Sequence, residues 1–248
     1  LGLLSMSSCN KLLDVKPYDF SSGDNYYENE GQVLRAVNGV YSRLQGLYTS
    51  DFWAMTEMVS DNTNYQYDET DRGAQQREEI DEFLITSSNN YVNTTWVNLF
   101  GIIQQANVII SRIDQVPFAD EKIKLQYLGE AKFIRAFSYF HLVRLFGELP
   151  LHLKEVANPS EAFTDGKKAT VDEVYTAIIQ DAKDAIASLP PGYDPANLGR
   201  ATKGAAYTLL GDVYLTRKQY AEAVTNFTEV TKLGYSLMPD YASCFSPT

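Results

Sequence analysis

From Val33 to Leu47 apolar residues recur at every third or fourth position, through Ala36, Val37, Val40 and Leu44. That spacing lines one face of an α-helix. The period returns in Val92, Trp96, Leu99, Ile103, Ala106, Ile110 and Ile113, and Pro117 ends it. Between about Glu121 and Phe146 the apolar residues Phe133, Ile134, Phe137, Phe140, Leu142, Val143, Leu145 and Phe146 run most of the way round, which calls for neighbours on several sides. Thr170, with Glu173 three residues on, has the spacing of a capping box, and the helix behind it stops at Pro190-Pro191-Gly192. Two more helices are expected over about 200–216 and 219–233, and a shorter one in "DFWAMTEMVSD". No run reads as a strand, so the expected class is all-α.

Helices this regular invite a search for repeats. "YTLLGDVYLTRKQYAEAVTNF" fits the tetratricopeptide pattern at six positions: Tyr207, Leu210, Gly211, Tyr214, Ala223 and Phe227. Gly211 and Ala223 are the small residues that let two helices approach, and Tyr214 and Phe227 fill the space between. Tyr235 stands where the pattern ends in proline. The preceding pair, with Ala131, Ala136 and Tyr139 answered by Ala177 and Ala185, looks like a stretched copy with about 23 residues between its helices. A still longer insertion separates the helices near 32–48 and 92–114. The expected architecture is therefore tetratricopeptide-like helix pairs with long insertion loops, which a stack tolerates because insertions project from one face.

Charge and composition remove several functions. The formal charge is −11, and the densest basic spot is Arg217-Lys218. Nucleic acid is excluded as a partner, because phosphate binding relies on a Lys/Arg patch. No run of 18 apolar residues is present, so no segment has the length and character of a spanning helix. The two cysteines, Cys9 and Cys244, and the two histidines, His141 and His152, form no metal-ligand spacing. No GxSxG, HExxH or P-loop occurs. The reading is of a chain that uses no cofactor and no metal.

The order of several stretches carries a resemblance. "CNKLLDVKP", "AVNGVYSRL", "EMVSDN", "EAKFIRAFSYFHLVRLFGELPL", "RATKGAAYTLLGDVYL" and "QYAEAVTNFTEV" follow one another as in the SusD/RagB family of Bacteroidetes outer-membrane lipoproteins. The resemblance covers nearly the whole chain. It implies a non-catalytic, cell-surface protein that binds a glycan or other nutrient oligomer and delivers it to a SusC-like TonB-dependent transporter. It also implies binding through aromatic platforms and polar side chains in the insertion loops. Members usually continue into a second half, so residues 31–248 are expected to be the N-terminal part of a SusD-like domain truncated at its C-terminus.

The same resemblance explains how the chain opens. "LLSMSSC" has apolar residues, then small ones, then Cys9, the order found at the end of a lipoprotein signal peptide. Met6 occupies a place where Leu is commonest. Residues 1–8 are read as the remnant of that signal, Cys9 as the lipidated residue, and 9–30 as a tether to the outer membrane. A doubly or triply acylated cysteine anchors a soluble body without a spanning helix.

Candidate ligand residues come from the loop "DNTNYQYDETDRGAQQR", residues 61–77, which has no period and no aliphatic residue larger than Ala74. Tyr65 and Tyr67 have no aliphatic neighbours in this stretch to cover them. A tyrosine ring stacks on the C–H face of a pyranose, and Asn64, Asp71 and Arg72 offer partners to its hydroxyls. The alternative is a solvated loop whose tyrosines fold back on the body. Trp53, beside Phe52, is read as core, as are Trp96 and Phe133, Phe137 and Phe140. His141 is read as a satisfied core histidine. Glu57 and Asp61 lie four apart on one side of a short helix, which suits neither geometry of a glycosidase pair, so they are read as cap and surface residues. The rival to glycan capture is a tetratricopeptide scaffold that binds protein and no glycan.

Overall fold

The computed structural model describes residues 26–245 apart from 50–51, 66–67, 69, 71–74, 157, 159 and 162–166. The helices are α1 (Glu30–Thr49), α2 (Phe52–Glu57), α3 (Gln75–Asp81), α4 (Asn90–Arg112), α5 (Glu121–Phe146), α6 (Val171–Ser188), α7 (Lys203–Thr216) and α8 (Tyr220–Thr231). The long helices fall where the periodicity puts them. Two differences are local. A seven-residue helix, α3, opens inside the stretch expected to be loop, and Leu149–Pro150 pairs antiparallel with Lys168–Ala169 as a two-residue ladder.

Caps explain where the helices start. Asn89 accepts from the Tyr91 N–H at α4, Asp120 from Lys122 at α5, and Thr202 from Ala205 at α7. Thr170 and Glu173 close the expected capping box at α6: the Glu173 N–H donates to Thr170 Oγ1 at 3.3 Å and the Thr170 N–H to Glu173 Oε2 at 2.8 Å. Donation from the Thr170 N–H, and then from its hydroxyl, holds the Glu173 carboxyl below its usual range.

The helices pack in sequence order. α1 lies on α4 and α5, α4 on α5, α5 on α6, α6 on α7, and α7 on α8. α5 is the central element, burying Tyr127, Ala131, Ile134, Ala136, Tyr139, Phe140, Leu142 and Val143. Full burial of each large side chain contributes about 1.5–3 kcal/mol. The last pair bears out the repeat. A Cβ on Gly211 would stand 2.5 Å from the Phe227 ring, so only glycine permits this approach, and Ala223 is buried at the crossing. Tyr235 hydrogen-bonds with Thr202 at 2.9 Å across the start of α7.

Polar groups inside the stack hold its connections. Arg135 and Asp181 form a buried two-point ion pair between α5 and α6, at 2.7 and 2.8 Å. Arg135 Nη1 also donates to Asn107 Oδ1 and to the Leu153 carbonyl, which brings α4 and the segment after Pro150 into the same network. Asn107 Nδ2 and Tyr139 Oη both donate to the His152 carbonyl, and the His152 N–H donates back to Tyr139 Oη. Gln104 exchanges two hydrogen bonds with the main chain of Val156, and Arg112 grips Glu155. At the other side of α5, the fully buried Glu130 accepts from Arg200 Nη1 at 2.8 Å and from Gln126 at 3.0 Å. Arg200 Nη2 continues to Asn38 on α1, so the 193–201 connection is tied to two helices.

His141 departs from expectation. Its ring is packed between Phe52 (4.8 Å) and Phe137 (4.4 Å), but Nε2 is buried with no hydrogen-bond partner among the described residues. Burial, and then the nearby Arg144 charge, push its pKa down to about 4. It is a core histidine, but it is not a satisfied one. Phe133 and Phe137 are half-buried, and Phe140 is buried with Arg144 over its ring.

Candidate functional site

Between α1 and α4 the chain makes an excursion that builds its own small core. Ala54, Met55, Met58 and Ile80 are buried together, with Tyr65, Tyr91 and Val92 packed around them. The excursion is fastened to α4 by Asn89, whose Nδ2 donates to the Gln76 carbonyl at 2.8 Å and to Glu79 Oε2 at 3.0 Å. Gln76 Oε1 accepts the Asn90 N–H. The turn after α2 folds onto itself, with Ser60 and Thr63 hydroxyls on the Glu57 carbonyl. The Tyr65 N–H donates to Asp81 Oδ2 at 3.2 Å, which fixes the loop to α3.

An aromatic and cationic group sits on this small core. Trp53 is 39% exposed, which corrects its reading as a core residue. The buried residues of α2 are Phe52, Ala54 and Met55, followed by Met58 just past its end, and Trp53 falls beside them. The Arg77 guanidinium lies 5.0 Å from the Trp53 ring centre and 5.4 Å from that of Tyr91, and its Nε donates to Tyr91 Oη at 2.7 Å. A cation stacked this way fixes a ring plane and contributes about 0.5–2 kcal/mol. Arg77 has no ion pair among the described residues.

Of the residues singled out from sequence, Asn64 is exposed at the end of the turn and Tyr65 is half-buried. The stretch around Tyr65 lacks aliphatic cover, but the fold supplies it from Met55, Met58 and Ile80 on two helices. Cys9, Tyr67, Asp71 and Arg72 lie outside the described residues. Asp68 accepts from the main chain and hydroxyl of Thr70, bonds that hold its carboxyl below the usual range. Glu57 and Asp61 are both exposed. Sequence reasoning missed Arg77 and Tyr91. Their signal is weak, because a seven-residue helix with one buried residue shows no period.

Trp53, Arg77 and Tyr91 bring an indole, a guanidinium and a phenol together, which suits holding a polar ligand with a flat apolar face. Among the described residues no group of three or more His, Cys, Asp or Glu side chains is placed to hold a metal ion, and no helix is long and apolar enough to cross a membrane.

Comparison with known proteins gives a consistent result. The SusD-like family described as starch-binding and associating with the outer membrane matches residues 11–215. "SusD-like protein P2" of Formosa agariphila is 29% identical over 251 residues, 98% of this chain and 48% of that protein. "Starch-binding protein SusD" of Bacteroides thetaiotaomicron is 26% identical, over 97% of this chain and 45% of its own length. Among solved structures, a "Laminarin binding SusD-like protein" superposes with a TM-score of 0.80 at 28% identity, over 88% of this chain and 48% of that one. The chain spans about half the length of the curated relatives it matches.

Proposed function

The chain belongs to the SusD-like family, and from that premise we propose that it captures a glycan at the outer membrane and passes it to a SusC-like TonB-dependent transporter. One observation carries the capture step. The partly exposed Trp53 ring is held by Arg77 against Tyr91, on the same small core that seats Tyr65. An indole face covers the C–H face of a pyranose, while the amide of Asn64 and the phenol of Tyr65 bond its hydroxyls. Tyr67, Asp71 and Arg72 are assigned to the same ligand from the sequence. Cys9 is assigned as the lipidated residue that keeps the body at the membrane.

The relatives named for laminarin and for starch support an uncharged glucan as the ligand. Charge supports the same choice. Glu57, Glu78, Glu79, Asp81 and Glu82 stand on or beside α2 and α3 and outnumber Arg77 there, so a polyanionic chain would meet a mainly negative field. No turnover is assigned; the role is binding.

The test is affinity electrophoresis of the 248-residue chain in gels containing laminarin, starch or neither, with Trp53→Ala alongside. Retardation by one glucan, lost in Trp53→Ala while the thermal midpoint stays in place, supports capture at this patch. A folded chain that no glucan or other polysaccharide retards defeats the reading.

A further inference from the structure

A second feature lies on other elements, between α1 and α4. A cleft of about 400 Å³ opens there, lined by Ser42, Arg43, Gly46, Leu47 and Asn98. The Arg43 guanidinium rests on the bare backbone of α4 at Gly101, where an added Cβ would stand 2.5 Å from Nη1. Glycine at 101 is thus what seats the arginine. No carboxylate lies within ion-pair distance of Arg43 among the described residues. Residues 31–50 and 90–111 contain no Asp or Glu at all, in a chain that carries 32 of them. Arg35, two turns earlier on α1, is exposed and has no ion pair among the described residues either. These two acid-free helical segments are the exception in a chain of charge −11.

We propose that the Arg43 cleft is a docking point for a carboxylate side chain on an acidic segment of a protein partner. A guanidinium presented without a counter-charge binds a carboxylate at two points, and Ser42 and Asn98 add a hydroxyl and an amide donor. A polypeptide fits better than a uronate-bearing glycan. None of the residues lining the cleft is aromatic, so it offers no ring for a sugar to stack on. The open space at Gly46, where an added Cβ would meet nothing within 4 Å, leaves room for another main chain beside the arginine. Val97, 57% exposed and on the same side of α4 as Gly101, offers an apolar contact at the rim. The inference is independent of the glycan reading, since it uses none of the residues at Trp53.

The test follows the Arg43 Nε–Hε resonance of the ¹⁵N-labelled full chain while a blocked Asp-Gly-Asp-Gly-Asp peptide is added, with its Asn counterpart as control. A saturable shift with the Asp peptide alone is expected, absent in Arg43→Gln. Gly101→Ala keeps Arg43 and favours the helix, but fills the seat; it should weaken binding about fivefold or more. No saturable shift, an equal shift with the Asn peptide, or native affinity in Gly101→Ala overturns the proposal. Oligogalacturonate binding as tightly as the Asp peptide overturns the protein assignment in favour of an acidic glycan.

Discussion

The two long insertions of this fold are held by different forces. Residues 151–156 are pinned from beneath by side chains of the helix stack: Arg135, Asn107 and Tyr139 hold the carbonyls of His152 and Leu153, and Gln104 holds Val156. The α2–α3 excursion has instead four buried residues of its own, ring contacts from Phe52 to Tyr48 and His141, and bonds to the start of α4 through Asn89, Gln76 and Arg77. The first insertion shares the stability of the body. The second adds a small core of its own beside the main one, and a unit of that kind can carry exposed aromatic and cationic groups without straining the main core.

The sharpest way to break this contrast is Arg135→Ala. It leaves Asp181 buried without its partner and frees the Leu153 carbonyl, so a loss of about 3–5 kcal/mol is expected. The thermal midpoint should fall by roughly 10 °C, with hydrogen exchange accelerating in α5, α6 and 151–156 together. If only 151–156 exchanged faster, that insertion would not share the cooperative unit of the stack.

The next effect is acid loosening at the joint of the other insertion. The folded state keeps His141 neutral down to about pH 4, while the unfolded chain takes a proton near 6.5. Above about pH 6.5 the residue contributes no difference between the states. As pH falls from 6.5 to 4 the unfolded state gains, and about 3 kcal/mol is lost. Denaturant titrations at pH 7 and pH 4.5 measure it, and His141→Leu should remove this part of the slope. An unchanged slope in that variant would place the acid sensitivity elsewhere.

These two sites also show what was legible in the chain. The long helices carry their period within themselves, and the Thr170–Glu173 box and the Gly211–Phe227 approach were both readable as local spacing. Asp181 left a partial signal, since it sits on the buried stripe of Val174, Ile178 and Ala185 where a charge needs a partner. The partner is 46 residues away, and one sequence does not name it. The candidate site was less legible for a physical reason. α2 has six residues and α3 seven, too few to fix which face turns inward, and the faces are chosen by contacts between helices about 20 residues apart. From sequence Trp53 therefore reads as core, and Tyr65 as lacking the cover that Met55, Met58 and Ile80 provide.

A smaller effect separates the second insertion from the body. Asn89→Ala removes the cap of α4 and both bonds to α3, at a cost of about 1–2 kcal/mol. Exchange should rise in α3 and the 58–65 turn while α5 and α6 keep their protection. Equal acceleration throughout would show the excursion to be part of the main cooperative unit, and the contrast between the insertions would be lost.

The smallest expected change in stability is at the residue with the largest expected change in binding. Trp53→Ala removes a partly exposed ring stacked with the Arg77 guanidinium and outside the four-residue core, so a cost of about 1 kcal/mol or less is expected. Arg77 would keep its bond to Tyr91 and the four-residue core would stay closed. Chemical denaturation of the variant checks this beside the gel measurement. A ring that costs little to remove from the fold yet abolishes retardation by a glucan is held out for a ligand. A loss of several kcal/mol would make the same ring a structural strut of the excursion, and its exposed face would no longer argue for a sugar.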